Sequence, residues 1–167
     1  MTIRSTILAA AALVAAAILP ASALERPTGP VILTVKGAIT NTNSEAGAEF
    51  DLAMLTALAS RVTEVETPWT EGKTRFEGPL GRAVLEAVGA TGAMLKVTAL
   101  NDYSADVPAA DLVDHDVILA TSMNGKPMSV RDKGPLFLIY PFDADPSLYT
   151  EQYFNRSVWQ IATIEVR

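Results

Sequence analysis

Apolar positions in this chain fall into short clusters of two kinds, separated by turn residues. Residues 31–36 (VILTVK) are rich in β-branched side chains and stop at Gly37, which predicts a first strand. A polar, turn-rich loop over 40–47 follows. Leu52, Leu55 and Leu58 then recur at intervals of three behind Asp51, an acid suited to a helix N-terminus, and predict a short helix over 51–59. From Arg61 the chain turns polar: Val62 and Val65 stand among acids, Trp69 and Phe76 lie before Gly78-Pro79, and no element is assigned. Leu80, Val84, Leu85 and Val88 mark one face of a second helix, with Pro79 in its first turn and Gly89 at its end.

The second half is richer in strands. Residues 94–100 (MLKVTAL) and 117–121 predict two, and Asn124-Gly125 is the residue pair of a tight hairpin turn. Residues 135–140 and 158–166 predict two more. Within 135–140, alternation places Phe137 inward at the strand centre, with Leu136 and Leu138 on the other face. Strands with two short helices, out of βαβ rhythm, predict a mixed, β-rich α+β domain.

The N-terminal run needs separate treatment. Arg4 precedes an apolar stretch over 7–19, Pro20 breaks it, and Ala21-Ser22-Ala23 supplies the small residues of a cleavage site. This pattern predicts a secretory signal peptide over 1–23 and a single domain over 24–167, placed in the periplasm or secreted. The run is shorter than the ~20 residues of a membrane-spanning helix, so no stable membrane insertion is expected after cleavage. Arg4 stands alone where a twin-arginine signal carries a pair, which points to Sec-type export of an unfolded chain. Losing Arg4 takes the formal charge from −6 to −7. With no basic cluster to interrupt that acidity, a nucleic-acid partner is not expected.

The chain has no cysteine. Thiolate nucleophiles, cysteine-held clusters and thiolate-bound metals are therefore outside its chemistry. His115 is the sole histidine, between Asp114 and Asp116. Neighbouring side chains of an extended segment point to opposite faces, so these three do not converge, and no metal site is expected. A Ser-His-Asp arrangement would have to use that one histidine, and no G-x-S-x-G elbow or phosphate loop is present. Asp143 and Asp145 have the look of a carboxylate pair, but Ala144, Pro146 and Ser147 around them favour an acidic surface turn. Trp69 and Trp159 suit either a ligand cleft or the core.

Several segments, in order, resemble the molybdopterin-binding domain of the sulfite oxidase family. Phe76-Glu77-Gly78-Pro79-Leu80 resembles that family's "f-x-G-v-x-L". Residues 101–108 (NDYSADVP) with Asp111-Leu112 are similar to its "DGY-s-a-x-i-P…dL". Residues 120–128, through Asn124-Gly125, resemble "A-y-x-x-N-G-x-P-L". Residues 134–141 are similar to "G-x-P-x-R-L-v-v-P", and 157–166 to the closing "k-S-V-K-W-x-x-x-I-e-V". The likeness covers most of 31–166 and implies that family's β-rich fold.

The departures fall on the groups the resemblance assigns to chemistry. The molybdenum-binding cysteine belongs near 66–70, which here reads ETPWT. The histidine before the Gly-Pro turn is Lys133, the arginine after Pro-Leu is Phe137, and the basic residue after Ser157-Val158 is Trp159. These groups would ligate the metal or pair with the cofactor's phosphate. The expectation is a non-catalytic binding module with no cofactor, holding a small ligand or a segment of an envelope partner. Trp69, Tyr103, Asn124, Lys133, Phe137, Arg156 and Trp159 are its candidate cleft residues. The competing reading is a molybdopterin oxidoreductase with a non-cysteine metal ligand, whose metal takes an oxygen donor or none from the protein.

Overall fold

The computed structural model describes residues 24–167; the expected signal peptide lies outside the described residues. Three strand systems carry the fold. A five-stranded sheet is built from β1 (Leu33–Gly37), β2 (Ala48–Phe50), β5 (Met94–Ala99), β6 (Ser104–Pro108) and β11 (Ile161–Val166), in the order β2-β1-β11-β5-β6. Its β1–β11 pair is parallel and its other pairs are antiparallel. A four-stranded sheet orders β3 (Ser60–Glu66), β4 (Lys73–Pro79), β8 (Ser122–Met123) and β9 (Lys126–Pro127) in sequence, and β7 (Ile118–Ala120) pairs with β10 (Phe137–Ile139). The helices are α1 (Leu52–Thr56), α2 (Gly81–Val88), α3 (Ala109–Asp114) and α4 (Glu151–Arg156). Among the described residues no helix is long and apolar enough to cross a membrane.

The α+β class holds, and the two expected helices are α1 and α2. The first is shorter than 51–59, because the chain after Ala57 turns straight into β3. Asp51 caps it: one carboxylate oxygen accepts Met54 N–H at 2.8 Å, the other accepts the N–H groups of Thr28 and Gly29, both at 2.8 Å. Those backbone donors hold the Asp51 carboxyl below the usual carboxylate range and tie the leader to the helix. For α2, Pro79 ends β4, Leu80 is the N-cap, and Gly89 closes the helix in the left-handed conformation (φ 60°). Helices α3 and α4 lack a clear apolar period and have no side-chain N-cap; α3 rests on α2 and β6, and α4 on β6.

The unassigned polar stretch is the hairpin β3–β4. Its register pairs Thr63 with Phe76 and Val65 with Thr74, so Thr63 and Val65 point inward while Val62 is exposed. A buried threonine broke the apolar alternation on which the sequence reading relied; its hydroxyl donates to Asp143 at 2.7 Å. At Gly78 a side-chain carbon would collide with the Leu119 carbonyl, so glycine lets β4 lie against β7. Asn124 (φ 50°) and Gly125 (φ 76°) make the β8–β9 turn with both residues at positive φ.

Phe137 is fully buried but opens β10 rather than occupying its centre, and Leu136 and Leu138 are equally buried. The strand is enclosed on both faces, as its continuous apolar run requires.

Candidate functional site

The loop between β3 and β4 carries the ETPWT stretch. Thr67 and Thr70 face each other with hydroxyls 2.8 Å apart, and Trp69 N–H donates to the Thr67 hydroxyl at 3.3 Å. This tight local turn projects Trp69 onto Phe137, Trp159 and Phe154, with ring centroids 5.5, 5.8 and 5.8 Å away, all edge-to-face. Trp159 is positioned by a bridge to Phe137 just before β11. Phe154 comes from α4.

These rings form one side of a cleft of about 300 Å³. Its rim comes from the turn between β5 and β6 and from the end of α4. Asp102 (φ 65°) turns the chain so that Tyr103 N–H donates to the Asn101 side-chain oxygen at 3.2 Å. The Tyr103 hydroxyl then donates to the Asn155 main-chain carbonyl at 3.3 Å, bridging the rim. Asn101, Tyr103, Asn155 and Ser157 are its polar residues, and among the described residues no charged side chain lines it.

Of the candidate cleft residues, Trp69, Tyr103 and Trp159 line this cleft, and Phe137 lies behind the tryptophans as their buried support. Lys133, at φ 72°, places Nζ 4.8 Å from the Trp159 ring centre, a cation–π contact at the margin. Arg156 points elsewhere: it donates to Asp111 at 2.9 Å and lies over the Tyr153 ring. Asn124 is apart, at the β8–β9 turn, where its side chain accepts Arg75 N–H at 3.1 Å. Sequence reasoning missed Phe154, Asn101 and Asn155. Asn101 lay inside a quoted motif, but nothing in the α4 sequence marked its role.

The other groups weighed for chemistry are structural. Asp143 bonds Thr63 and Arg61, and Asp145 accepts the N–H and hydroxyl of Ser147 in a one-turn helix, which lowers its carboxyl's pKa. His115 follows α3 with its ring against Tyr153, while Asp116 pairs with Arg82. Among the described residues no cluster of three or more His, Cys, Asp or Glu is placed to hold a metal.

Arg156, between the lining residues Asn155 and Ser157, belongs to a polar knot. The Asp111 carboxylate, almost fully buried, accepts both the Tyr140 hydroxyl (2.7 Å) and Arg156 on the same oxygen. Burial first, and then the bond to Asp111, pushes the Tyr140 phenol far above its ordinary pKa.

No curated protein matches the chain. Residues 48–166 match the family model described as "Oxidoreductase molybdopterin binding domain", a span that holds every strand except β1 and all the residues of the cleft and of the knot. The chain belongs to the oxidoreductase molybdopterin-binding domain family, of the sulfite oxidase type.

Proposed function

We propose that this member of the family is an exported, non-catalytic binding module, whose aromatic cleft takes a small ligand in place of the molybdenum cofactor. The observation that carries this reading is the commitment of the cations around the cleft. Arg156 is closed onto Asp111, and Lys133 lies over Trp159. The cofactor brings a metal wanting a strong protein donor and a phosphate wanting charge-assisted donors. The cleft is lined by four aromatic residues, two asparagines, an alanine and a serine whose hydroxyl is spent on the Tyr153 carbonyl, a donor set that does not fit that group.

Each charge-assisted contact to phosphate contributes about 1.5–3 kcal/mol. Without two of them, affinity falls by roughly a thousandfold. The arrangement of Trp69 against Phe137, Phe154 and Trp159 supports a preformed apolar pocket, the usual character of a small-ligand site.

A second reading has one observation in its favour. The Thr67 and Thr70 hydroxyls stand where the family resemblance puts the metal-binding cysteine, and oxygen is a donor suited to high-valent molybdenum. Thr67 is buried, and its oxygen already accepts the Trp69 N–H while sharing a hydrogen bond with Thr70, which is why the binding reading is preferred.

Metal and pterin analysis of protein purified from its native envelope separates the two. The binding reading expects no molybdenum and no pterin fluorescence after oxidation, even with an intact cofactor pathway in the cell. Near-stoichiometric molybdenum retained through gel filtration would establish the oxidoreductase instead.

A further inference from the structure

The cleft combines three partly buried rings, Trp69, Phe154 and Trp159, with the exposed ring of Tyr103 and the carboxamides of Asn101 and Asn155. We infer that its ligand is an uncharged saccharide, bound by the apolar face of a pyranose ring. The inference rests on the binding reading above and narrows it to a ligand class.

Charge is the first discriminator. An ion entering this cleft would surrender hydration without meeting a counter-charge in its lining, because among the described residues no charged side chain lines it. The ammonium of Lys133 already occupies the neighbourhood of the Trp159 ring and repels a second cation there. One lysine does not make an anion site in a chain of formal charge −6.

The polar groups exclude a purely apolar occupant. Asn101 uses its side-chain oxygen on Tyr103 N–H, which leaves its two N–H donors to the cleft. Asn155 meets Tyr103 through its main-chain carbonyl. Asn155 itself lines the cleft, and its carboxamide makes no hydrogen bond among the described residues, so two donors and an acceptor stay available. An apolar ligand would cover these groups without pairing them, at a cost. Sugar hydroxyls both donate and accept, matching a carboxamide, while the C–H face of a pyranose matches a flat indole or phenol ring. Tyr103, 51% exposed at the rim, extends the aromatic surface beyond the cavity, as contact with a second sugar unit requires.

The test is titration of the mature chain with cellotetraose and tetra-N-acetylchitotetraose, read by tryptophan fluorescence and calorimetry. Tetragalacturonate and a chitosan tetramer serve as anionic and cationic counterparts, and uracil as an uncharged heteroaromatic. A neutral oligosaccharide is expected to saturate the signal. Asn155→Ala should weaken it about fivefold, the loss of one or two hydrogen bonds, with an unchanged melting temperature. Saturation by a charged probe or by uracil, without any by the neutral sugars, overturns the ligand class and leaves the binding reading standing. Sugar binding that neither Asn155→Ala nor Tyr103→Ala weakens overturns the placement. No saturation by any probe overturns the inference, and molybdenum analysis then judges the binding reading separately.

Discussion

Arg156, the last residue of α4, donates to Asp111 in the first turn of α3 across 2.9 Å. An acid at a helix start and a base at a helix end each suit the helix dipole, and here the two complete one another across the fold. The same Asp111 oxygen accepts the Tyr140 hydroxyl at 2.7 Å. Replacing Asp111 by Ala leaves the fully buried Tyr140 hydroxyl unpaired and takes the carboxylate from the partly exposed Arg156, and should lower stability by roughly 2–4 kcal/mol. Urea melts of Asp111→Ala measure this, and a loss under about 1 kcal/mol, below that range, would show the knot to be dispensable.

Tyr140 predicts a pH dependence with a definite sign. Its folded pKa is raised above that of an unfolded tyrosine, by burial and by Asp111. Its contribution is therefore fully present below about pH 10, the unfolded value, and is lost as the pH rises above it, where the unfolded chain releases a proton that the folded chain retains. Stability should fall as the pH rises above about 10, and Tyr140→Phe should flatten that fall. Equal alkaline slopes in the two proteins would refute the assignment.

Phe137 supports the cleft from within. It is fully buried and meets Trp69, Phe76 and Trp159 edge-to-face at 5.5–5.9 Å. Phe137→Ala should cost roughly 3–5 kcal/mol in denaturant melts, the usual range for emptying a core aromatic site. It should also change tryptophan emission, since both indoles lose a neighbour. Unaltered emission with a small stability loss would mean that the tryptophans do not depend on Phe137.

The export proposal has a direct check by mass. The envelope fraction should contain a chain that begins at Leu24, as cleavage after Ala23 requires. Full-length protein in the cytoplasm would remove both the localisation and the Sec-type reading.

Local pattern carried much of the fold. The Leu52–Leu55 spacing behind Asp51, the Leu/Val face before Gly89 and the Asn124-Gly125 turn each encode an element within a few residues, and each formed. Nearest-neighbour sterics and capping act over that range, so one chain suffices to read them. The ordered motifs from Phe76 to Val166 likewise carried the family, and residues 48–166 match it.

What sequence alone left open was decided over long separations. The β3–β4 hairpin became legible only once Thr63 met Asp143, 80 residues away, because a buried polar position looks like a surface one until its partner is known. The fate of Arg156 was decided in the same way: the sequence placed it in the cleft, and Asp111, 45 residues earlier, turns it toward the knot. Composition required the chain to do without a thiolate. Tertiary structure brought Trp69, Phe154 and Trp159 into a single cleft from a loop, a helix and a strand entrance, because ring packing depends on contacts no local period encodes.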